Sequence, residues 1–339
     1  QPQPKTRRLF QVLIGALNSK STNQRILAIV TGFISAYWLA TLAGVLLAVA
    51  FGGWIASHSN PWIGLLAALP LALVAVVLLV GIWVYHDLRR NLVDNGFGLC
   101  TGRTESGHDV EALTPWLHGL IQEAAGRSTA DDPLTFGDLW GAKGFPPPWL
   151  KLRPGAEPRS IDLRMFTTNL AHGRPYIFPL EEGVPSRTLR TRDRFLFRPE
   201  ELTGYLPSRV MWWLRQKAEP YRPDPAHPGM DPEQAAGQGL YELPAARDLP
   251  ILLAARMSLS FPLLFSAVPL WAVDYDVPHG RREFRRCWFS DGGISSNFPV
   301  HLFDGLLPMW PTFGISLEPK LPERDNLVYV PRSYRQGFG

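Results

Sequence analysis

A run of 61 residues, from Ile26 to His86, contains no Asp, Glu, Lys or Arg. The polar turn Ser-His-Ser-Asn-Pro at residues 57–61 divides the run, because proline stops the continuation of a helix. The first arm, residues 26–56, has 31 residues, and the second arm, residues 62–85, has 24. At about 1.5 Å per helical residue, each arm is longer than the roughly 30 Å hydrocarbon core of a bilayer. The sequence therefore predicts a transmembrane helical hairpin over residues 26–86.

Two other structures could account for the run: a pair of buried core helices, or a cleaved signal peptide. A core helix of a soluble protein normally carries a polar stripe, and neither arm has one. A signal peptide is not followed almost at once by a second apolar span. Both alternatives are therefore disfavoured.

Basic residues flank the hairpin on both sides. Five precede it with no acidic residue among them, and two follow it: Lys5, Arg7, Arg8, Lys20, Arg25, Arg89 and Arg90. The turn between the arms carries no Lys or Arg, so the positive-inside rule places both ends in the cytoplasm. We therefore expect a two-pass protein of a bacterial inner membrane whose body faces the cytoplasm. Residues 1–25 are then a basic juxtamembrane segment beside anionic lipid headgroups.

The net charge of +4 and the pI of about 9.1 do not indicate nucleic-acid binding, because the basic residues are dispersed. In residues 187–198 arginines alternate with apolar residues and an aspartate, and no zinc-finger or homeodomain pattern occurs. The expected partner at this stage is a lipid bilayer, with no nucleic acid. The eight histidines and two cysteines show no metal-ligand spacing, so no metal and no cofactor is expected.

Beyond the hairpin, residues 87–339 alternate short predicted strands and helices, which is typical of an α/β layered domain. Predicted strands lie at residues 160–168, 174–179, 283–290 and 311–317, and predicted helices at 115–125, 210–217, 249–258 and 299–307. The Gly-rich, polar segment 91–114 is predicted to be a loop.

Asp291 is the candidate catalytic residue. It follows a predicted strand and precedes Gly292 and Gly293, and loops at strand ends are where α/β folds shape functional crevices. The two glycines allow positive φ or the close approach of another backbone. A carboxylate in this position can accept a proton from a serine hydroxyl. The alternative is an ordinary turn aspartate that satisfies local N–H groups.

Four segments resemble the patatin-like phospholipase family, in the family's order. SDGGISSNFP at residues 290–299 is similar to its Asp-Gly-Gly segment, and AARMSLSFP at 254–262 is similar to the small-residue helix that precedes it. Residues 167–175 resemble the central strand pair, and LTFGDLW at 134–140 resembles the approach to that pair.

The resemblance implies a three-layer α/β domain that cleaves acyl esters of phospholipids or lysophospholipids through a Ser–Asp dyad. By that resemblance Asp291 is the general base, and Gly292 and Gly293 shape the site. The family's nucleophile lies in Gly-x-Ser-x-Gly, a strand-to-helix turn that exposes the hydroxyl, and a Gly-rich loop supplies N–H groups to the oxyanion.

This sequence differs from the family pattern because it lacks the motif that carries the nucleophile. No serine lies in Gly-x-Ser-x-Gly, and no Gly-rich oxyanion loop occurs. Ser258 and Ser260 lie in an apolar helix-like setting that favours packing or a backbone hydrogen bond. We therefore expect the nucleophile not to be present in this chain. Residues 87–339 would be the second half only of a patatin-like domain into which the hairpin is inserted, with the N-terminal half missing or supplied by a complementing chain.

Two hypotheses of function follow. The first is a membrane-anchored patatin-like acyl hydrolase, a serine esterase of the phospholipase A or lysophospholipase type that is incomplete in this chain. The second is a non-catalytic membrane lipid-binding or scaffolding protein that retains half of the fold. A transporter is disfavoured, because two spans with no charge inside the membrane offer no pathway.

Overall fold

The computed structural model describes residues 2–19, 21–103, 111–144, 159–180, 194–223, 231–274, 282–295 and 314. The chain divides into two compact units, Gln1–Ser295 and Ser296–Gly339, and apart from Gly314 the described residues belong to the first unit. The helix predicted at 299–307 lies outside the described residues, and so does the strand predicted at 311–317 apart from Gly314.

Four helices form the N-terminal part: α1 (Arg7–Leu17), α2 (Thr22–Ala36), α3 (Trp38–His58) and α4 (Pro61–His86). The last of these continues through a π-helical turn, Asp87–Leu92. Asn60 caps α4 by accepting a hydrogen bond from the Trp62 N–H (3.0 Å), and Pro61 occupies the first helical position, where its missing N–H costs nothing.

The predicted first arm of the hairpin is two helices rather than one. Tyr37 leaves the helical conformation at φ −115°, ψ 38° and ends α2. Its side chain is 2% exposed, and its hydroxyl donates to the buried Asp87 carboxylate (2.8 Å). Hydropathy alone could not reveal this break, because the polar partner of Tyr37 lies 50 residues away in the chain. As a consequence α2 packs on α1, and α3 with α4 forms the long hairpin.

Small residues bring α3 and α4 close together. Ala40, Gly44, Ala48 and Gly52 repeat at four-residue spacing and form the buried face of α3. A Cβ placed on Gly64 of α4 would lie 2.5 Å from the Gly52 carbonyl oxygen, so only glycine allows this approach. Small residues at helix crossings are typical of packing inside membranes. Most of the leucine, valine, isoleucine and tryptophan side chains of both helices are exposed.

Two helical segments, Trp38–His58 and Pro61–Leu92, are long and apolar enough to cross a membrane. Only 22% and 6% of their most apolar stretches are buried. That low burial separates them from the core helices of a soluble protein, which bury most of their surface.

The body contains nine strands and six helices within the described residues. The strands are β1 (Gly98–Cys100), β2 (Met165–Asn169), β3 (Arg174–Phe178), β4 (Leu196–Phe197), β5 (Glu219–Pro220), β6 (Tyr241–Glu242), β7 (Leu263–Phe265), β8 (Val268–Asp274) and β9 (Glu283–Asp291). The helices are α5 (Leu113–Ala124), α6 (Phe136–Trp140), α7 (Pro199–Leu202), α8 (Ser208–Lys217), α9 (Pro232–Gly237) and α10 (Ile251–Ser258).

Seven strands form one sheet in the order β3-β2-β9-β8-β4-β6-β5, and every pairing in it is antiparallel. The remaining two strands, β1 and β7, pair parallel in a separate small sheet. The prediction of an α/β fold is confirmed, and the observed fold is a mixed one with both parallel and antiparallel strand pairs. The predicted loop at residues 91–114 is wrong at three places: the end of the π-helical turn (Asn91 and Leu92), β1, and the start of α5. At β1 the reason is a long-range partner, β7, which gives a Gly-rich segment strand structure.

Aromatic rings fill the centre of the core beside the neighbouring strands β3, β2 and β9. Phe289 is fully buried, and its ring meets those of Tyr176, Phe178 and Phe195 edge to face at centroid distances of 5.8, 5.9 and 4.9 Å. Helix α10 packs behind β2 and β9, with residues 251–257 all buried. The end of β9 therefore packs against both β2 and α10.

Candidate active site

Asp291 is the last residue of β9, in the interior of the seven-stranded sheet. Its backbone stands opposite Thr167 of β2, and its N–H donates to the Ser260 carbonyl (3.0 Å). Its carboxylate accepts a hydrogen bond from the Gly293 N–H (3.1 Å), and the residue is half-buried. The backbone and the side chain of Asp291 are thus both fixed, while part of the residue remains exposed.

Gly292 and Gly293 lie in the 3-10 turn that follows, Gly292–Ile294. Gly292 is buried, and a Cβ on it would lie 2.5 Å from the Phe166 carbonyl oxygen of β2. No side chain fits at that distance, so β2 and the turn can approach each other only because residue 292 is glycine. Gly293 contributes the N–H that Asp291 binds. The structure therefore brings all three predicted site residues together at the end of β9.

Side-chain hydroxyl groups form hydrogen bonds between the end of β9 and the neighbouring segments. Ser290 Oγ donates to the Ser260 carbonyl (2.7 Å), and Thr167 Oγ1 donates to the Ser290 carbonyl (2.6 Å). Thr168 Oγ1 and Ser295 Oγ lie 2.8 Å apart and share a hydrogen bond. These bonds hold the carboxylate of Asp291 in a rigid frame.

A serine partner for Asp291 does not occur within the described part of the chain. There, no hydroxyl, thiol or imidazole hydrogen-bonds to the Asp291 carboxylate. Ser295 is engaged by Thr168, and the buried Ser260 hydroxyl donates to the Arg256 carbonyl (2.8 Å). The described region thus presents a candidate base without a nucleophile.

Arg256 is a residue of this region that sequence reasoning did not single out. It lies on α10, directly behind Ser260, and is fully buried. Burial lowers the pKa of its guanidinium to about 10. The only available signal was one arginine in an otherwise apolar helical stretch, ILLAARMS.

A groove of about 690 Å³ lies elsewhere, between the segment 127–135, α6, α8 and the residues Arg247 and Asp248, and Asp291 does not line it. Its charged side chains are largely matched, with Arg127 bound to Asp138 (3.0 Å) and Arg209 to Asp132 (2.7 Å). Burial would raise the pKa of Asp138, but hydrogen bonds from Arg127 and Thr135 bring it below its ordinary value. The groove is therefore a surface of paired charges. Across the residues with described positions, no three His, Cys, Asp or Glu side chains group to hold a metal.

Comparison with known proteins identifies the domain that contains Asp291. Residues 156–304 match the family model of patatin-like phospholipases. These residues belong to the patatin-like phospholipase family. The resemblance read from the Asp-Gly-Gly segment is thereby confirmed, and the match includes β2, β3, β9 and α10 and all three predicted site residues.

The chain is also similar to a protein named RpoH suppressor from Rhizobium meliloti (strain 1021). The two are 36% identical over 349 residues, an alignment that covers 88% of this chain. The chain spans about half of that relative's length, 48%. No solved structure matches the chain.

Proposed function

We propose that the protein is a membrane-anchored lipid acyl hydrolase that cleaves fatty-acyl esters of phospholipids or lysophospholipids. The observation that carries the proposal is the placement of Asp291: a half-buried carboxylate, fixed by the Gly293 N–H, at the end of an interior strand of a patatin-like domain. Membership in the family supports lipid acyl hydrolysis in general. The Ser–Asp dyad, the substrate type and the membrane anchor are our proposals.

In the proposed reaction, Asp291 accepts the proton of a serine hydroxyl while the serine oxygen attacks the acyl carbonyl. Backbone N–H groups of a Gly-rich loop bind the resulting oxyanion. The ester bond breaks, the alcohol product takes the proton, and the acyl group remains on the serine. Asp291 then takes a proton from water, whose oxygen attacks the acyl carbonyl; the acyl–serine bond breaks, Asp291 returns the proton to the serine oxygen, and the fatty acid leaves.

We place the serine and the Gly-rich loop in a part of the protein that precedes residue 1. The 339 residues contain no Gly-x-Ser-x-Gly motif, and the chain matches only about half the length of its relative. Under this proposal, residues 87–339 are the second part of a three-layer patatin-like domain that the hairpin interrupts. A separate chain could supply the serine by complementation, and mass spectrometry of the purified complex would detect it.

The membrane hairpin has a direct role under this proposal. With α3 and α4 spanning a bacterial inner membrane, both ends of the hairpin and the body lie on the cytoplasmic side, as the flanking basic residues favour. A phospholipid then travels only a short distance from the inner leaflet to Asp291. Basic residues in 1–25 would contact anionic headgroups beside the hairpin.

The test uses the protein with its native upstream sequence, purified in detergent and added to phospholipid vesicles. We expect fatty-acid release by the natural protein, labelling of one serine by a fluorophosphonate, and a loss of release of about 10²-fold or more in Asp291→Ala, the usual contribution of a general base. Arg209→Ala, which removes an ion-paired surface arginine remote from β9, is the folded control. If release is unchanged in Asp291→Ala, Asp291 is not the base.

A non-catalytic lipid-binding or scaffolding protein is the second candidate. It is favoured by one observation: within the described ranges, no hydroxyl, thiol or imidazole hydrogen-bonds to the Asp291 carboxylate. The same experiment separates the two candidates. Vesicle binding without fatty-acid release and without fluorophosphonate labelling would establish the second candidate and exclude the first.

A further inference from the structure

A buried cation without a carboxylate partner lies directly behind the candidate active site. The Arg256 guanidinium donates to Ser260 Oγ (2.6 Å), to the Thr101 carbonyl (2.8 Å) and to the Ser266 carbonyl (3.1 Å). None of the described Asp or Glu side chains hydrogen-bonds or ion-pairs with it. Burying a charge without an opposite charge is costly, and an apolar side chain would fill this position at lower cost. The arrangement of the three acceptors indicates what the charge does.

Two of the acceptors belong to the segments that follow the paired strands β1 and β7. Thr101 comes directly after β1, and Ser266 directly after β7, at the same end of the parallel pair. The strand β1 is the first one after the membrane hairpin, and the Thr6 hydroxyl also binds its Leu99 carbonyl (2.6 Å). One guanidinium therefore joins α10 to the strand that leaves the hairpin.

The third acceptor leads to Asp291. Ser260, whose hydroxyl Arg256 binds, uses its own carbonyl to accept the Asp291 N–H (3.0 Å) and the Ser290 hydroxyl (2.7 Å). Ser260 lies between α10 and β7, outside both elements, so its position depends on side-chain bonds as well as on helix geometry. A chain of two hydrogen-bonded residues thus connects the strand that leaves the hairpin to the candidate base.

We propose that Arg256 is a positioning residue, which holds Ser260 and through it the Asp291 carboxylate in place relative to the strand that leaves the membrane hairpin. This inference rests on the proposed function, in which Asp291 is the general base. Displacing a catalytic group by about 1 Å lowers a rate by about 10²-fold. Arg256 does not touch substrate, so its loss affects turnover and leaves substrate binding intact.

The experiment compares Arg256→Met, Arg256→Lys and the control Arg209→Met in the whole protein with its native upstream sequence. Active sites are counted with a fluorophosphonate, and kcat and KM are measured per active site with phospholipid in mixed micelles. We expect Arg256→Met to lose at least tenfold in kcat with KM changed less than twofold. Lysine keeps the charge and can reach some of the acceptors, so Arg256→Lys should lose only about two- to fivefold in kcat. Arg209→Met should match the natural protein.

A purely structural role gives a different result. If Arg256→Met has fewer active sites but a normal kcat at each of them, Arg256 only stabilises the core and the proposal is overturned. If Arg256→Met does not fold, Arg256→Lys decides: reduced kcat at unchanged KM supports the proposal, and unchanged kcat overturns it.

Hydrogen exchange separates this inference from the proposed function. If the natural protein releases no fatty acid, the function fails, and exchange at the Ser290 and Asp291 amides of Arg256→Lys still tests the link. Faster exchange there, with unchanged exchange at the centre of β8, supports positioning by Arg256. Unchanged exchange at both places overturns it.

Discussion

Replacing Gly292 with alanine puts a methyl group against the backbone of β2. The new Cβ would lie 2.5 Å from the Phe166 carbonyl oxygen and 2.8 Å from its carbonyl carbon, and contacts below 3.0 Å essentially never occur. The obstacle is main chain rather than a flexible side chain, so β2 and the turn must separate by about 0.5 Å or more. Overpacking of this kind costs about 1–3 kcal/mol. Because Thr167, the next residue of β2, stands opposite Asp291, the same movement displaces the candidate base.

Thermal unfolding in detergent measures this cost. At about 2–4 °C per kcal/mol for a domain of this size, Gly292→Ala should lower Tm by roughly 2–12 °C. Gly119→Ala is the matched control, because Gly119 lies within α5 with nothing within 4 Å of its added Cβ. Gly119→Ala should raise the free energy of unfolding by up to about 1 kcal/mol, because alanine has a higher helix propensity than glycine. Equal Tm values for Gly292→Ala and the natural protein would refute the close contact between β2 and the turn.

Three further changes have defined outcomes. Phe289→Ala removes the fully buried ring that meets three other aromatic rings and should cost about 3–5 kcal/mol in denaturant unfolding; a loss below 1 kcal/mol would contradict the described core. His118 is 4% exposed, and burial lowers its pKa. Below about pH 6.5 the unfolded state therefore binds a proton that the folded state does not. The free energy of unfolding then decreases as the pH is lowered, by at most about 1.4 kcal/mol per pH unit. His118→Leu should make the Tm less dependent on pH between 7.5 and 5.5, and an unchanged dependence would exclude His118 as its source. Gly64→Leu should separate α3 from α4 and lower the Tm in detergent, whereas Gly81→Leu, with open space around its Cβ, should not; equal effects would contradict the close helix crossing.

Local patterns predicted the elements whose causes lie within a few residues of sequence. The helical spacing at residues 115–125 corresponds to α5. The strands predicted at 160–168 and 174–179 correspond to β2, which begins only at Met165, and to β3. The predicted strand at 283–290 is β9 with one residue added. In each case apolar periodicity and a nearby turn or proline determine the element.

Long-range contacts explain what the sequence could not predict. The break at Tyr37 depends on Asp87, and β1 exists because it pairs with β7, more than 160 residues away. The motif led to Asp291, Gly292 and Gly293 because they are adjacent in the chain. Arg256 was not found, since its acceptors, Thr101 and Ser266, meet only in the folded protein.

The most direct test of the central claim measures how fast the serine is acylated with and without the Asp291 carboxylate. The whole protein, with its native upstream sequence, is mixed with a chromogenic fatty-acyl ester under single-turnover conditions. Asp291→Asn is compared with the natural protein after thermal unfolding has shown that the two have the same Tm. Asparagine keeps the size of the side chain and can still accept the Gly293 N–H, but it cannot take the serine proton. We expect the acylation rate to fall by about 10²- to 10⁴-fold, the range for loss of a general base. An acylation rate in Asp291→Asn within threefold of the natural rate would show that another group activates the nucleophile.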